Sequence, residues 1–359
     1  MEIEDSNRQS ILLARGRDGL DYVLKRCAVK PKITIVDWAL SPLSDGRASV
    51  EREVIGDLAR VQCCQCSTDQ DFDAGLLDSM ALIVWHNTPI TDSTIAKLKN
   101  CRVIVRNGVG FDSVDVVAAR AHGIPVCNVP DYGTEEVADH AIALALALCR
   151  QLFPLDAEAK KLGWRIRVEP KLRRLRELVF GVVGLGRIGT AAALRAKSLG
   201  FKVCFYDPYV VSGSDKAVGV ERVRTLEELL RKADVLSLHC PLNDETRHLL
   251  AEKELALLKP SAFVVNTARG AVIKKLAILA ALREGRLAGA GLDVIEDEPL
   301  ETAEEAATPN LIVTCHAAFC SVESKIELRR TSARIALAAV RGDPLENVVN
   351  GVSPKGNPL

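Results

Sequence analysis

The sequence lacks several features that would assign it to whole classes of protein. It has no net charge, because 47 basic residues balance 47 acidic ones, and it therefore offers no general attraction to nucleic acid, anionic membranes or acidic polymers. It also lacks a long hydrophobic run, since the longest, residues 141–149, is far short of the roughly 20 residues that cross a bilayer. We expect a small-molecule partner, no membrane and no direct nucleic-acid contact.

A disulfide framework and a signal peptide are also missing. The 11 cysteines are an odd number scattered from Cys27 to Cys320, and the N-terminus is acidic and polar where a signal peptide would be basic and then apolar. We therefore expect a reducing, cytoplasmic compartment. Residues 63–66 contain one CxxC spacing, but no second pair of ligands follows at zinc-finger spacing, so a buried strand is favoured and no metal is expected.

The alternation of apolar runs and helical patterns predicts two α/β domains. The 359 residues exceed twice the roughly 150 of a typical domain. Short β-branched runs alternate with helical stretches from Ile33 to residue 129, and a second series of six strands begins at Val179. Strands that are apolar on both faces and separated by helices predict parallel sheets covered on both sides. The last helical run, residues 322–341, is expected to pack back on the first domain.

A helix and a basic segment separate the two series. The helix is expected to have Thr134 as its N-cap and to run through an Ala/Leu-rich stretch toward Leu162, buried in the molecule or in a subunit interface. Residues 160–176 carry eight Lys or Arg and one acidic residue, which predicts a connection between domains. A nucleic-acid patch is the weaker alternative, because only Trp164 accompanies these charges.

The second series opens with a dinucleotide-binding pattern. Gly184, Gly186 and Gly189 form a GxGxxG motif between a predicted strand and a predicted helix, and the next strand ends in Asp207, 18 residues after the last glycine. The glycines allow a tight turn, close approach of backbone to a pyrophosphate, and close packing of helix on strand. Because a carboxylate at Asp207 would repel a 2′-phosphate, we expect the cofactor NAD rather than NADP.

Three polar residues follow strand ends of the same series and suit hydride transfer. Arg269 can hold a carboxylate bidentately, His316 can exchange a proton with an alcohol near neutral pH, and Glu298 can stabilise the protonated imidazole. Ligands of α/β sheets bind at this edge. Each residue also has a purely structural interpretation: a salt bridge at a helix end, an exposed acid beside a proline turn and a buried histidine.

At this point the sequence resembles the D-isomer-specific 2-hydroxyacid dehydrogenases, and within them the branch of the C-terminal-binding proteins. The resemblance covers about residues 32–349. It rests on the segments VIVRNGVGFDSVD, GIPVCNVPDYGTEEVADH, VVGLGRIG, FYDPY, LHCPLNDETRHLL, VNTARG, AGAGLDVIEDEP and CHAAF, which occur in the family's order. It implies that Arg269 binds substrate and acts in catalysis, that His316 is the acid/base and that Glu298 is its partner.

The resemblance also implies roles for residues around the cofactor and the substrate. Those implied at the cofactor are Asp207 on the adenosine ribose, Arg187 and Ile188 at the pyrophosphate, Cys240 and Pro241 along the groove, and Thr267, Ala268 and Asp293 near the nicotinamide. Those implied at the substrate are Arg106, Asn107 and Gly108 facing the cleft, together with His86, for which a surface position is an equal alternative.

The chain departs from the family pattern at several positions. Lys274 and Lys275 replace the acidic residue that usually caps the helix after TARG, which should weaken that cap by roughly 1 kcal/mol. Cys315 stands where a proline commonly precedes the histidine, and Phe319 stands where C-terminal-binding proteins carry tryptophan.

The sequence as a whole predicts an α/β protein with two doubly wound parallel-sheet domains and a cleft between them. Residues 1–31 are an N-terminal extension, residues 32–130 and 318–359 a flavodoxin-like substrate domain, and residues 131–317 a Rossmann NAD-binding domain. We expect a homodimeric, NAD-dependent D-2-hydroxyacid dehydrogenase. The alternative is an NAD(H)-sensing transcriptional co-regulator like the C-terminal-binding proteins.

Overall fold

A computed structural model of the chain describes residues 30–37, 47–85, 88–164 and 172–353. The strands, in chain order, are β1 (Lys32–Asp37), β2 (Arg60–Gln65), β3 (Ala81–Val84), β4 (Val103–Arg106), β5 (Val126–Cys127), β6 (Val179–Val183), β7 (Lys202–Tyr206), β8 (Glu221–Arg222), β9 (Val235–Leu238), β10 (Phe263–Asn266), β11 (Gly289–Leu292) and β12 (Leu311–Val313). The helices are α1 (Ser49–Ile55), α2 (Ala74–Leu77), α3 (Asp92–Ile95), α4 (Val116–Ala121), α5 (Thr134–Cys149), α6 (Leu152–Glu158), α7 (Arg187–Ser198), α8 (Ser214–Val218), α9 (Leu226–Lys232), α10 (Glu252–Leu255), α11 (Lys275–Arg283), α12 (Ala303–Ala306) and α13 (Val322–Arg341).

The chain divides into two compact units. Unit 1 comprises residues up to Tyr132 and from Lys325 onward, and unit 2 comprises Gly133–Ser324. In unit 1 the strands form a parallel sheet in the order β2-β1-β3-β4-β5, which is the flavodoxin-like order. Strands β3 and β4 are buried along their whole length, which explains why their sequences are apolar up to Arg106 at the end of β4.

Helix α13 is fastened to unit 1 by a buried ion pair. The Arg329 guanidinium donates two hydrogen bonds, of 2.8 and 2.7 Å, to the two carboxylate oxygens of Glu51 on α1. Both side chains are almost fully buried. A bidentate pair of this kind fixes the orientation of the two helices as well as their contact.

Unit 2 contains a seven-stranded sheet in the order β12-β11-β10-β9-β6-β7-β8. Strand β6 pairs in parallel with both β7 and β9, so the strand order reverses at β6 and leaves a crevice at the carboxyl ends of β6 and β9. Helix α5 packs closely on the sheet because β11 carries glycine: a Cβ at Gly291 would lie 3.0 Å from the Cβ of Leu144. The predicted class, two parallel-sheet α/β domains, is confirmed.

Several sequence-based predictions in this region are wrong in detail. The second sheet has seven strands rather than six, because the two-residue strand β8 is too short to give a periodic signal. Helix α5 begins at Thr134 with Gly133 as its N-cap. It ends at Cys149 rather than near Leu162, because Gln151 adopts a left-handed conformation with φ 52°.

Four further predictions concern the basic segment, membrane spans, metal sites and a helix near the N-terminus. The described part of residues 160–176 lies inside unit 2 and does not connect the two units. Among the described residues no single helix is long and apolar enough to cross a membrane. Helix α5 and the helical stretch after it reach that length and apolar composition only when taken together, and they are bent by 53° relative to each other. No group of metal-ligating side chains occurs in the described ranges. The predicted helix over residues 20–27 lies outside them.

Candidate functional site

The glycine motif forms the turn from β6 into α7. Gly184 has a left-handed φ of 88°, and a Cβ there would come within 3.0 Å of the backbone of His239 and Cys240. A Cβ at Gly189 would lie 1.9 Å from the Gly184 carbonyl oxygen. Gly186, the N-cap of α7, instead faces open space, with nothing within 4 Å of its Cβ position. The loop therefore presents bare backbone at a helix N-terminus, as a pyrophosphate requires.

Asp207 lies directly after β7 and joins this loop to the next one. Its Oδ2 accepts a hydrogen bond of 2.8 Å from the Leu185 backbone N–H, and its Oδ1 accepts from Tyr209 and Val210. A guanidinium that sequence reasoning missed lies close by: Arg222 donates to the carbonyl oxygens of Asp207 and Val210 at 2.9 and 2.7 Å. The single carboxylate at this position suits the two hydroxyls of an unphosphorylated ribose.

The opposite wall of the crevice follows β9 and β10. Burial raises the pKa of the Cys240 thiol to about 11 and lowers the pKa of the adjacent His239 to about 4, so both groups are neutral at physiological pH. Pro241 is exposed. The hydroxyl of Thr267 is buried and has no hydrogen-bond partner among the described residues. An unsatisfied hydroxyl beside the glycine crevice fits a site that is completed by a cofactor.

The backbone at Arg269 is fixed by two hydrogen bonds of the Asn266 side chain, which sequence reasoning did not identify and which we call the Asn266 bracket. The buried side chain of Asn266 accepts from the Ala268 N–H at 3.0 Å and donates to the Arg269 carbonyl at 2.9 Å. Arg269 itself has extended backbone and donates from Nη1 to the Ala268 carbonyl at 2.7 Å. The bracket fixes the backbone from which the guanidinium projects at the carboxyl edge of the sheet.

His316 and Glu298 form the pair that the sequence predicted. Nδ1 of His316 lies 3.1 Å from Oε2 of Glu298, and Oε1 of Glu298 accepts from the Ile295 N–H at 3.2 Å. The two side chains are 29% and 38% exposed. The Phe319 ring lies edge-on to the imidazole, with a centroid distance of 6.3 Å. A carboxylate on Nδ1 orients the ring and directs Nε2 toward proton exchange.

Asp293 holds the loop that carries His316. Its carboxylate accepts from the Ala317 and Ala318 N–H groups, both at 2.9 Å, and from the hydroxyl of Thr314. The His316 N–H donates to the Asp293 carbonyl at 2.9 Å. His316 has a left-handed φ of 53°, which costs energy in a residue with a side chain and persists only when its surroundings fix it. The observed contacts of Asp293 therefore serve to position His316, and its predicted contact with nicotinamide stays a prediction.

The residues predicted for substrate binding belong to unit 1. Arg106 ends β4 as a buried side chain, and Nη1 donates to the Asn107 carbonyl at 3.1 Å. Gly108 has φ 150°, a backbone conformation that residues with a side chain adopt only with strain, and a Cβ there would lie 1.6 Å from the same Nη1 and displace it. Asn107 is buried and accepts from the hydroxyl of Ser332 on α13 at 2.7 Å. His86 lies outside the described residues.

Lys274 and Lys275 led us to expect a weakened N-terminal cap for α11. A residue distant in the sequence supplies the missing capping hydrogen bond. No side chain of the helix's own N-cap forms a capping bond, but Glu296 accepts from the Lys275 N–H at 3.1 Å. The ammonium of Lys275 lies 3.4 Å from the carboxylate of Glu305 in α12. Two contacts of Lys275 with residues distant in the sequence, Glu296 and Glu305, therefore take the place of a local cap.

The fold and the site define a dinucleotide-binding α/β protein of the oxidoreductase type, and comparisons with known proteins identify its family. Residues 142–318 match the family model of the D-isomer specific 2-hydroxyacid dehydrogenase NAD binding domain. Two curated relatives are each 35% identical: C-terminal-binding protein 1 of Caenorhabditis elegans over 314 residues, and D-3-phosphoglycerate dehydrogenase of Methanocaldococcus jannaschii over 298 residues. The alignments cover 84% and 83% of this chain but 43% and 57% of those proteins. The chain thus spans about half the length of the curated relatives it matches.

A solved structure supports the same assignment. The D-lactate dehydrogenase of Aquifex aeolicus, complexed with NAD and lactic acid, superposes with a TM-score of 0.78 at 29% identity and covers 87% of this chain and 96% of its own. The chain belongs to the D-isomer-specific 2-hydroxyacid dehydrogenase family. The predicted family, its resemblance to the C-terminal-binding protein branch and the cofactor NAD are confirmed.

Proposed function

We propose that the protein is an NAD-dependent dehydrogenase that interconverts a D-2-hydroxy acid and its 2-oxo acid. The observation that carries the proposal is the His316–Glu298 pair, with Nδ1 and Oε2 3.1 Å apart, in the same unit as Arg269 and the glycine loop. When bound, NADH supplies the hydride that reduces the carbonyl carbon of the 2-oxo acid. The residues of the chain supply binding, orientation and the proton.

Arg269 is proposed to bind the substrate. A guanidinium forms two parallel hydrogen bonds with a carboxylate and stabilises negative charge that develops on an adjacent carbonyl oxygen. The Asn266 bracket, with hydrogen bonds of 3.0 and 2.9 Å to the backbone of Ala268 and Arg269, preorganises the residue. Less reorganisation is then needed when the substrate binds.

His316 is proposed to donate the proton to the nascent alkoxide through Nε2 and to remove it in the reverse direction. Glu298 holds Nδ1 and compensates the charge of the imidazolium. Arg106, Asn107, Gly108 and His86 remain our proposed contacts on the substrate side, as implied by the family.

Screening a panel of 2-oxo acids tests the proposal. The protein and NADH are mixed with each acid, and the loss of absorbance of NADH is followed. We expect NADH to be consumed only with one class of 2-oxo acid. In the reverse direction, the matching D-2-hydroxy acid and NAD should produce NADH. If no 2-oxo acid is reduced, the dehydrogenase proposal fails.

The second candidate function is an NAD(H)-sensing transcriptional co-regulator. The observation in its favour is the 35% identity with C-terminal-binding protein 1. The presence of Arg269, Glu298 and His316 is compatible with both the dehydrogenase and the co-regulator. Binding of NADH without reduction of any 2-oxo acid would favour the co-regulator.

We also propose a homodimer in a reducing, cytoplasmic compartment. The ten described cysteines all carry free thiols, which suits that compartment. The apolar surface of α5 is largely buried within unit 2 and therefore does not support a dimer. On α6, however, the side chains of Leu152 and Phe153 are 54% and 56% exposed. Adjacent exposed apolar side chains of this size suit a subunit interface, and sedimentation velocity at micromolar concentration tests it.

A further inference from the structure

The segment that follows Arg269 lies in direct backbone contact with the loop that carries Glu298. A Cβ at Gly270 would lie 2.1 Å from the carbonyl group of Ile295 and 2.5 Å from the Glu296 nitrogen. No other residue type fits such an approach. Any shift of residues 295–298 is therefore transmitted to the backbone next to Arg269.

The side chain of Glu296 fastens this contact at two points. Its Oε2 accepts from the Lys275 N–H at 3.1 Å, at the start of α11. Its Oε1 forms a close hydrogen bond with Nε2 of His248. The His248 N–H in turn donates to the Ala271 carbonyl at 2.8 Å. One carboxylate thus joins the Glu298 loop to both ends of the segment that begins at Gly270.

The backbone on both sides of this carboxylate is strained. Asp297, which separates Glu296 from Glu298, has φ 55°, and His248 has φ 53°. Residues with side chains adopt this left-handed conformation at an energetic cost and keep it only where neighbouring contacts impose it. The hydrogen bonds of Glu296 are such contacts.

The charge of Glu296 is stable at neutral pH. Burial acts to raise its pKa, but hydrogen bonds from His248 and the Lys275 N–H, together with the nearby Arg247, outweigh it and lower the pKa below its ordinary value. An anionic carboxylate accepts hydrogen bonds more strongly than a neutral one and favours a helix N-terminus.

We propose that Glu296, anchored by His248, is a positioning residue that holds the Arg269 segment and the Glu298 loop in register for catalysis. The inference rests on the proposed dehydrogenase function. It assigns a role to a carboxylate whose observed hydrogen bonds are with His248 and the Lys275 N–H. Loss of the register would displace a carboxylate-binding group and an acid/base partner together.

Kinetics of matched variants tests this proposal. Glu296→Ala should lower kcat/KM by about 10- to 100-fold, because a displacement of about 1 Å in catalytic groups has costs of this size. Glu296→Gln keeps an acceptor for the Lys275 N–H and should recover most of the loss. The control is Glu252→Ala, which removes the exposed 2.8 Å ion pair with Lys274 at the same end of α11 and should change kcat/KM by less than about twofold.

Hydrogen exchange provides a readout that does not depend on activity. In Glu296→Ala the amides of Ile295 and Lys275 should exchange faster than in the wild type, whereas Glu252→Ala should leave them unchanged. If Glu296→Ala does not fold, His248→Ala removes one anchor and should produce the same pattern more weakly.

The outcomes separate this inference from the proposed function. Wild-type kinetics in Glu296→Ala, or unchanged exchange at both amides, would overturn the inference while leaving the dehydrogenase intact. If the wild type reduces no 2-oxo acid, the proposed function fails, and the exchange data alone decide whether Glu296 holds the two segments together.

Discussion

At the scale of single residues, Asp207 performs two tasks with one carboxylate. It closes the glycine loop through the Leu185 N–H and orders the turn after β7 through Tyr209 and Val210. The same charge disfavours a 2′-phosphate on the adenosine ribose. The guanidinium of Arg222 also lies at this turn, where it donates to the carbonyl oxygens of Asp207 and Val210.

Replacing Asp207 should therefore change both affinity and selectivity. Asp207→Asn should weaken NADH binding by about 1–3 kcal/mol, the range for losing hydrogen bonds to a charged group, and should narrow the preference for NADH over NADPH. Fluorescence titration with both reduced cofactors measures this. The control is Glu227→Gln, which removes a carboxylate paired with Arg231 on the surface of α9. Tighter binding of NADPH than NADH to the wild type would refute the assignment.

At the residue level, sequence can predict candidates where the chemistry is local. The GxGxxG loop and Asp207 lie in one βαβ unit, and their spacing alone predicts a cofactor role for them. The capping of α11 by Glu296 could not be predicted, because the helix and its cap are 21 residues apart and a contact of this kind leaves no periodic signal. The Asn266 bracket was overlooked although its ends are only three positions apart in the sequence, and its signal was the asparagine at the end of a buried strand.

At the scale of elements, Asp234 anchors the central strands of unit 2. The carboxylate lies just before β9, is almost fully buried, and accepts from the Val179 N–H at the start of β6 at 2.9 Å. Arg173 and Lys259 donate to it at 2.9 and 3.1 Å. Burial acts to raise the pKa of Asp234, but these partners outweigh it and lower the pKa below its ordinary value of 3.8.

Asp234→Asn should destabilise the protein in a pH-dependent way. We expect the free energy of unfolding at pH 7 to fall by about 2 kcal/mol, since charged hydrogen bonds to a buried group are lost. Because the folded pKa is depressed, the wild-type advantage is present above about pH 4 and disappears as pH falls through the folded pKa. Urea unfolding at several pH values measures this difference.

The matched control is Asp57→Asn, since Asp57 is fully exposed and lies 3.1 Å from Lys30. It should leave the free energy of unfolding unchanged at every pH. Equal stability of Asp234→Asn and the wild type at pH 7 would show that Asp234 is not an anchor.

Element types were predictable from the sequence, whereas the ends of the elements were predictable only in part. Buried strands such as β3 have uninterrupted apolar sequences, and the predicted helical run over residues 322–341 agrees with α13. Helix α5 was extended too far because the sequence after Cys149 stays helical in character, while the break depends on the left-handed backbone of Gln151. Backbone conformation at a single non-glycine residue is not encoded in hydrophobic periodicity.

At the scale of the whole molecule, each unit has its own parallel sheet and its own core. The structure assigns residues from Lys325 onward to the unit that contains β1, and the Glu51–Arg329 pair shows how α13 is held there. Sequence reasoning found both α/β series because each repeats the same strand and helix pattern. The substrate side chain could not be predicted, because it depends on side-chain contacts that no motif specifies.

The central claim is that His316 exchanges the proton in reduction of a 2-oxo acid, and turnover by His316→Ala tests it most directly. With the best acid from the panel, kcat should fall by about 10²- to 10⁴-fold, the usual contribution of a positioned acid/base. NADH affinity, measured in parallel, should remain close to that of the wild type. His122→Ala, which removes a half-exposed histidine 3.8 Å from Asp92 in unit 1, should keep full turnover. Wild-type turnover by His316→Ala would contradict the proposed mechanism.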